Sequence, residues 1–195
     1  MHGLINRSIQ CFVQDTYGEA CWRRISEVAG IGPDGFEAML CYNDALTDAV
    51  LDAVSDRLDK PRDAVMEDLG TFLVSNPRLE PVRRLLRFGG ETFTEFLMSL
   101  DDLPDRARLA VPDLEVPELH LVEDTPSTFR LFCRCHFAGA CRVMMGILRA
   151  MADDYGALVL LEHAGEAGDG ALLRIELLDC SFAEGRSFTL VRPAV

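Results

Sequence analysis

The spacing of apolar residues first changes period at Pro112. That change constrains the fold more than any other feature. Up to Pro112 the apolar positions recur every three or four residues, as one buried face of a helix requires. Leu4, Ile5, Ile9, Phe12 and Val13 open the series, and Tyr17-Gly18 closes that helix. Trp22, Ile25 and Val28 carry a second helix that stops at Gly30. Asp44 is placed to cap a helix bearing Leu46, Val50, Leu51, Val54 and Leu58. Pro61 suits the first turn of the next, which carries Val65, Met66, Leu69, Phe72 and Leu73. Gly89-Gly90 reads as a break before Phe93, Phe96, Leu97 and Leu100. After Pro112, Leu119 and Leu121, then Phe129, Leu131, Cys133 and Cys135, alternate as strands do. Residues 140–152 return to helical spacing. Residues 157–163 and 171–178 read as strands joined by a hairpin turn over 166–170. The implied class is α+β: a helical part over about 1–112, then an antiparallel four-stranded sheet with a packed helix over about 113–195, in a single domain.

A length of 195 residues allows a sizeable core. The formal net charge of −13 repels nucleic acid phosphates and anionic membranes, so neither is expected as a partner. The start of the chain has no basic cluster followed by an apolar run, and no stretch approaches a membrane span, so a cytoplasmic location is expected. Seven cysteines in that compartment read as reduced thiols. There is no phosphate-binding loop and no nucleophile-base pattern, and the paired carboxylates read as solvated caps. An enzyme is therefore not expected.

Several short motifs, in this order, resemble the heme nitric oxide/oxygen binding (H-NOX, HNOB) family, which includes the sensor domain of soluble guanylate cyclase and bacterial gas sensors. They are Met1-His2-Gly3-Leu4-Ile5 at the start, Tyr17-Gly18 followed by Trp22, and Leu100 to Leu109. Thr128-Phe129-Arg130-Leu131 followed by Gly146-Ile147-Leu148 continues the likeness. The resemblance implies an H-NOX-like fold and a heme-binding sensory role, with two departures. Pro104 stands where the family carries the histidine that ligates heme iron, and proline has no lone pair for a metal. Cys133, Cys135 and Phe137 stand where the family carries a Tyr-x-Ser-x-Arg motif that holds the heme propionates. On a strand running to Phe137 these three would share one apolar face with Phe129 and Leu131. Propionates buried there would lose charge-assisted hydrogen bonds worth roughly 1.5–3 kcal/mol each.

The same matching places Ile5, Ile9, Leu73 and Val143 in the pocket lining, none of them a hydrogen-bond donor. The expectation is a sensory domain without histidine-ligated heme, its pocket either filled by side chains such as Phe93, Phe96, Phe129, Phe132 and Phe137 or occupied by an apolar, lipid-like small molecule. Heme held by a substitute such as His2 is one alternative; His120, His136, His163 and Met98 are weaker iron ligands, Met98 reading as a packed core residue. A thiol redox or zinc sensor centred on Cys133 and Cys135, with His136 and Cys141 nearby, is another. Relatives signal to cyclases or histidine kinases. The chain ends at Val195 without an output domain, so a partner of that kind acting in trans is expected.

Overall fold

A computed structural model describes residues 1–188 except 33, 138, 168 and 169, so the tip of the expected hairpin turn lies outside the described residues. Helices α1 (Gly3–Tyr17), α2 (Glu19–Val28), α3 (Asp44–Leu58), α4 (Arg62–Ser75), α5 (Glu80–Arg87), α6 (Phe93–Met98) and α7 (Leu103–Ala110) precede β1 (Glu118–Thr125) and β2 (Thr128–Arg134). Helix α8 (Ala140–Tyr155), β3 (Leu158–Ala167) and β4 (Gly170–Asp179) follow. The sheet is antiparallel throughout, in the order β1-β2-β4-β3. Among the described residues no helix is long and apolar enough to cross a membrane.

Two local expectations shift by one residue. Asn43, not Asp44, caps α3: its Oδ1 accepts from the Ala45 amide at 2.9 Å, while Asp44 meets the chain's amino terminus. Pro61 is the capping residue of α4 and does not enter the helix. Both are the usual uncertainty of helix ends. Gly18 closes α1 with φ +89°, a conformation that costs other residues more.

The alternation of β2 and β4 sorts each strand into a core face and an outer face. Phe129, Leu131 and Cys133 are buried and lie opposite Ile175, Leu173 and Ala171, which are buried too. Strand β2 ends at Arg134, three residues short of the expected Phe137. Arg134 makes the last pair on both sides, with Glu118 of β1 and Gly170 of β4. Pro117 precedes Glu118 and has no N–H to extend the ladder. Cys135 and Phe137 therefore leave the sheet and turn toward the start of α8.

Two apolar cores result. One lies among α1 to α4 around Phe12, Trp22, Val50 and Leu51; the other lies under the sheet around Phe96, Leu100, Phe129 and Leu148. The change from helix to strand falls near Pro112, but the change of core falls earlier, because α5 to α7 pack with the sheet. Helices α4 and α8 join the two. A Cβ on Gly70 would fall almost on the carbonyl oxygen of Val143 and 2.9 Å from the Ile147 nitrogen. A Cβ on Gly146 would fall likewise on the carbonyl of Glu67 and 2.8 Å from the Thr71 nitrogen. The two helices thus touch backbone to backbone through a reciprocal pair of glycines. Arg142 to Asp63 (3.0 Å) and Glu67 (3.3 Å), and Arg149 to Glu67 (3.2 Å), flank the contact. Helix α5 is tied to α8 by Arg83, whose Nε donates to Asp154 Oδ1 at 2.8 Å with both side chains buried.

Gly146→Ala should lower unfolding free energy by about 3 kcal/mol in urea denaturation, because overpacked sites relax incompletely. Gly32→Ala, with open space around it, should change it by less than about 0.5 kcal/mol. Asp154→Ala removes the buried partner of the Arg83 guanidinium, leaving it the more exposed Glu80 at 3.2 Å, and should cost about 3 kcal/mol in the same assay.

Candidate functional site

A cavity of about 250 Å³ lies at the seam between the two cores. Its walls are stripes of residues three or four apart on converging helices, the spacing that puts side chains on one helix face. Ile5 and Ile9 come from α1, Met66, Leu69 and Leu73 from α4, and Ala140, Val143 and Ile147 from α8. Leu103, Pro104 and Ala107 come from α7, and Val82 and Leu86 from α5. Residues 114–117, between α7 and β1, cross one side, and Cys135 and Phe137 close another.

Pro104 is buried in the first turn of α7, where its missing N–H costs no intrahelical bond. Neither nearby aspartate caps that helix with its side chain. Asp102 stands at the capping position without a capping bond. Asp101 turns away to β1, accepting from the Leu121 amide at 2.8 Å and pairing with His120 Nδ1 at 3.0 Å. The helix starts instead from the short 3-10 turn Leu100–Asp102 that runs straight into it.

The lining is almost free of polar chemistry. Among the described residues it contains no His, Tyr, Lys or Arg side chain. The Ser8 hydroxyl donates to the Leu4 carbonyl at 2.8 Å, inside its own helix. Met1 reaches the lining, but its amino group is held by the Tyr42 carbonyl at 2.9 Å and by the Asp44 carboxylate. Glu115 is the one carboxylate of the lining and is exposed. Cys135 is half-buried, and burial pushes its thiol above the usual range, so it stays protonated at neutral pH.

Other expected residues go elsewhere. Cys133 does not line the cavity; it is buried beneath the sheet, accepting at its carbonyl from the Cys141 thiol at 3.1 Å. Its own thiol is pushed far up by its hydrogen bond with Cys141 and by burial. Of the five phenylalanines expected to fill the pocket, Phe137 alone borders it. Phe93, Phe96 and Phe129 pack in the sheet's core, and Phe132 points to the opposite face of β2, stacked on His120. His2 caps α1 by accepting from the Leu4 amide at Nδ1 (3.1 Å), and Met98 is 45% exposed instead of packed. Among the described residues no three His, Cys, Asp or Glu side chains are gathered as metal ligands would be.

Among the residues that sequence reading missed are Gly70 and Leu114, Glu115 and Val116, whereas Pro117 fits the family's proline after the sixth helix. An isolated glycine within a strongly helical pattern, as at Gly70, is the available signal, because it costs helix stability and usually reflects close packing. Residues 114–116 lie beyond any periodicity and give no such signal.

A sequence profile of the Haem-NO-binding family matches residues 2–163. Soluble guanylate cyclase gcy-31 of Caenorhabditis elegans is 26% identical over 154 residues, which are 79% of this chain and 22% of that protein. Soluble guanylate cyclase 89Da of Drosophila melanogaster is 22% identical over 183 residues, 92% of this chain and 27% of the relative. The chain thus spans about a quarter of the length of these relatives. An H-NOX protein from S. oneidensis, solved in its Fe(II) ligation state, superposes with a TM-score of 0.78 at 19% identity, covering 96% of this chain and all of that one. An oxygen-binding H-NOX domain related to soluble guanylate cyclases superposes at 0.69 and 16% identity, covering 96% of this chain and all of that one. Matched over more than four-fifths of its length, and with the same mixed helical and four-stranded antiparallel fold, the chain belongs to the Haem-NO-binding, or H-NOX, family.

Proposed function

We propose that this is a sensory, non-catalytic H-NOX domain that takes an apolar guest in the seam cavity and does not hold heme through a histidine. The observation that carries this reading is the lining itself: Pro104 faces the cavity, and no imidazole, phenol or cationic side chain does. The residues present do not fit a heme. An iron needs an axial donor. The sulfur atoms available belong to Met1, to the buried Met66 and Met144 and to the protonated thiol of Cys135, with no imidazole nitrogen beside them among the described residues. Two propionates would need cations or hydroxyl donors, and at the positions that the resemblance assigns to them stand Cys133, Cys135 and Phe137. The substitute ligand His2 is committed to capping α1.

The cavity's position suits a sensor. Its walls come from both cores, so an occupant that prefers one spacing of α1 against α7 shifts the balance between spacings, and an indifferent one shifts nothing. Readout then passes to a cytoplasmic signalling partner of the cyclase or histidine-kinase type. The glycine contact of α4 with α8 is the fixed pivot of that movement.

A thiol reading of Cys133 and Cys135 has less support, because a low thiolate fraction is the opposite of what a redox sensor needs.

Protein purified from cells supplied with heme precursor should show no Soret band of histidine-ligated heme. A strong Soret band with one iron per chain would overturn the proposal. Alkylation of the native protein at pH 8, read by mass spectrometry, should modify the exposed Cys41 and Cys180 first, Cys135 more slowly and Cys133 last. Rapid modification of Cys133 would restore the thiol reading.

A further inference from the structure

The lining also discriminates by charge. Helix faces and the buried ends of Cys135 and Phe137 make most of the wall apolar, while segment 114–117 includes Glu115, which is exposed and so stands where the cavity meets solvent. No Lys, Arg or His side chain lines the cavity, and the amino group of Met1 already has the Asp44 carboxylate and the Tyr42 carbonyl as partners. Several basic side chains on the wall-forming helices are engaged elsewhere. Arg106 of α7 donates to the Leu85 and Ser99 carbonyls, Arg108 pairs with Asp105, and Arg142 of α8 pairs with Asp63 and Glu67. A guest with an anionic head would bring its charge beside Glu115, with no basic side chain in the described lining to meet it. A hydroxyl head would instead donate to that carboxylate.

We propose, building on the reading of this cavity as an apolar-guest site, that its ligand is an uncharged elongated molecule whose hydroxyl end is held at Glu115, a medium-chain alcohol in class and not the corresponding fatty acid. Size sets the length. A dry cavity of about 150 Å³ takes a benzene, so about 250 Å³ accommodates roughly ten non-hydrogen atoms. Apolar burial supplies the affinity, and Glu115 supplies the choice between heads.

The test uses the full chain and two probes of one length, decan-1-ol and decanoate, at pH 8 and low salt, where surface charges are least screened. Binding is read by native mass spectrometry and calorimetry. Decan-1-ol should bind roughly tenfold or more tighter than decanoate, since like charges placed together are strongly disfavoured. Glu115→Gln should narrow that ratio toward one, and Glu115→Lys should invert it. Leu73→Trp, which fills the cavity from α4, should abolish binding of both while circular dichroism stays unchanged. Decanoate binding as tightly as decan-1-ol, or a ratio untouched by Glu115→Gln, overturns the charge selection and leaves the apolar-guest reading standing. Binding of neither probe overturns both. Stoichiometric heme in the purified protein overturns the underlying reading on its own.

Discussion

The backbone contact between α4 and α8 sets the rest of this structure. Gly70 and Gly146 each occupy the place where the other helix's main chain passes, so neither helix can carry a side chain there. Such closeness gives good dispersion contact, and it also fixes the relative position of two cores that otherwise share little. Where the helices touch, there is no room between them. Beside the touching line, Leu69 and Leu73 of α4 and Val143 and Ile147 of α8 line the cavity. Glycine at these two sites carries a helix-propensity penalty of about 1 kcal/mol each, which the packing offsets.

Two consequences follow for chemistry. A cavity bounded by helix stripes inherits the composition of those stripes, and buried stripes are apolar because burial of polar groups is costly. Any specific polar contact must then come from irregular backbone. In this chain the irregular walls are segment 114–117 and the turn after β2, and they contribute Glu115 and Cys135. The thiol is kept neutral by its surroundings, so the one charge offered to an occupant is negative. Heme, with its own two carboxylates, is badly matched to that arrangement; an uncharged guest is well matched.

Much of this was legible in the sequence, and the reasons are local. The change of apolar period at Pro112 separated the first seven helices from the sheet, and the alternation of Phe129, Leu131 and Cys133 gave the buried face of β2. The family's motifs gave the fold, which spacing alone leaves as an α+β class. The end of β2 was not legible from its own residues. The apolar pattern continues through Cys135 and Phe137, but the ladder runs out of partners at Pro117 and Gly170, far away in sequence. The fate of the phenylalanines was illegible for a similar reason. Phe93, Phe96 and Phe129 are large enough to fill a void, yet which void depends on α5 to α7 siding with the sheet. Gly70 was readable as an anomaly within a helix, though its partner Gly146 could not be paired with it from spacing.

The central claim is that an inherited sensor cavity has exchanged a ligated metal cofactor for an uncharged apolar guest. Native mass spectrometry of the chain as isolated from cells, without added ligand, addresses it most directly. The account predicts a bare chain or a non-covalent adduct of a small neutral molecule that is lost in Leu73→Trp. An adduct of iron-bearing heme at one per chain would contradict it.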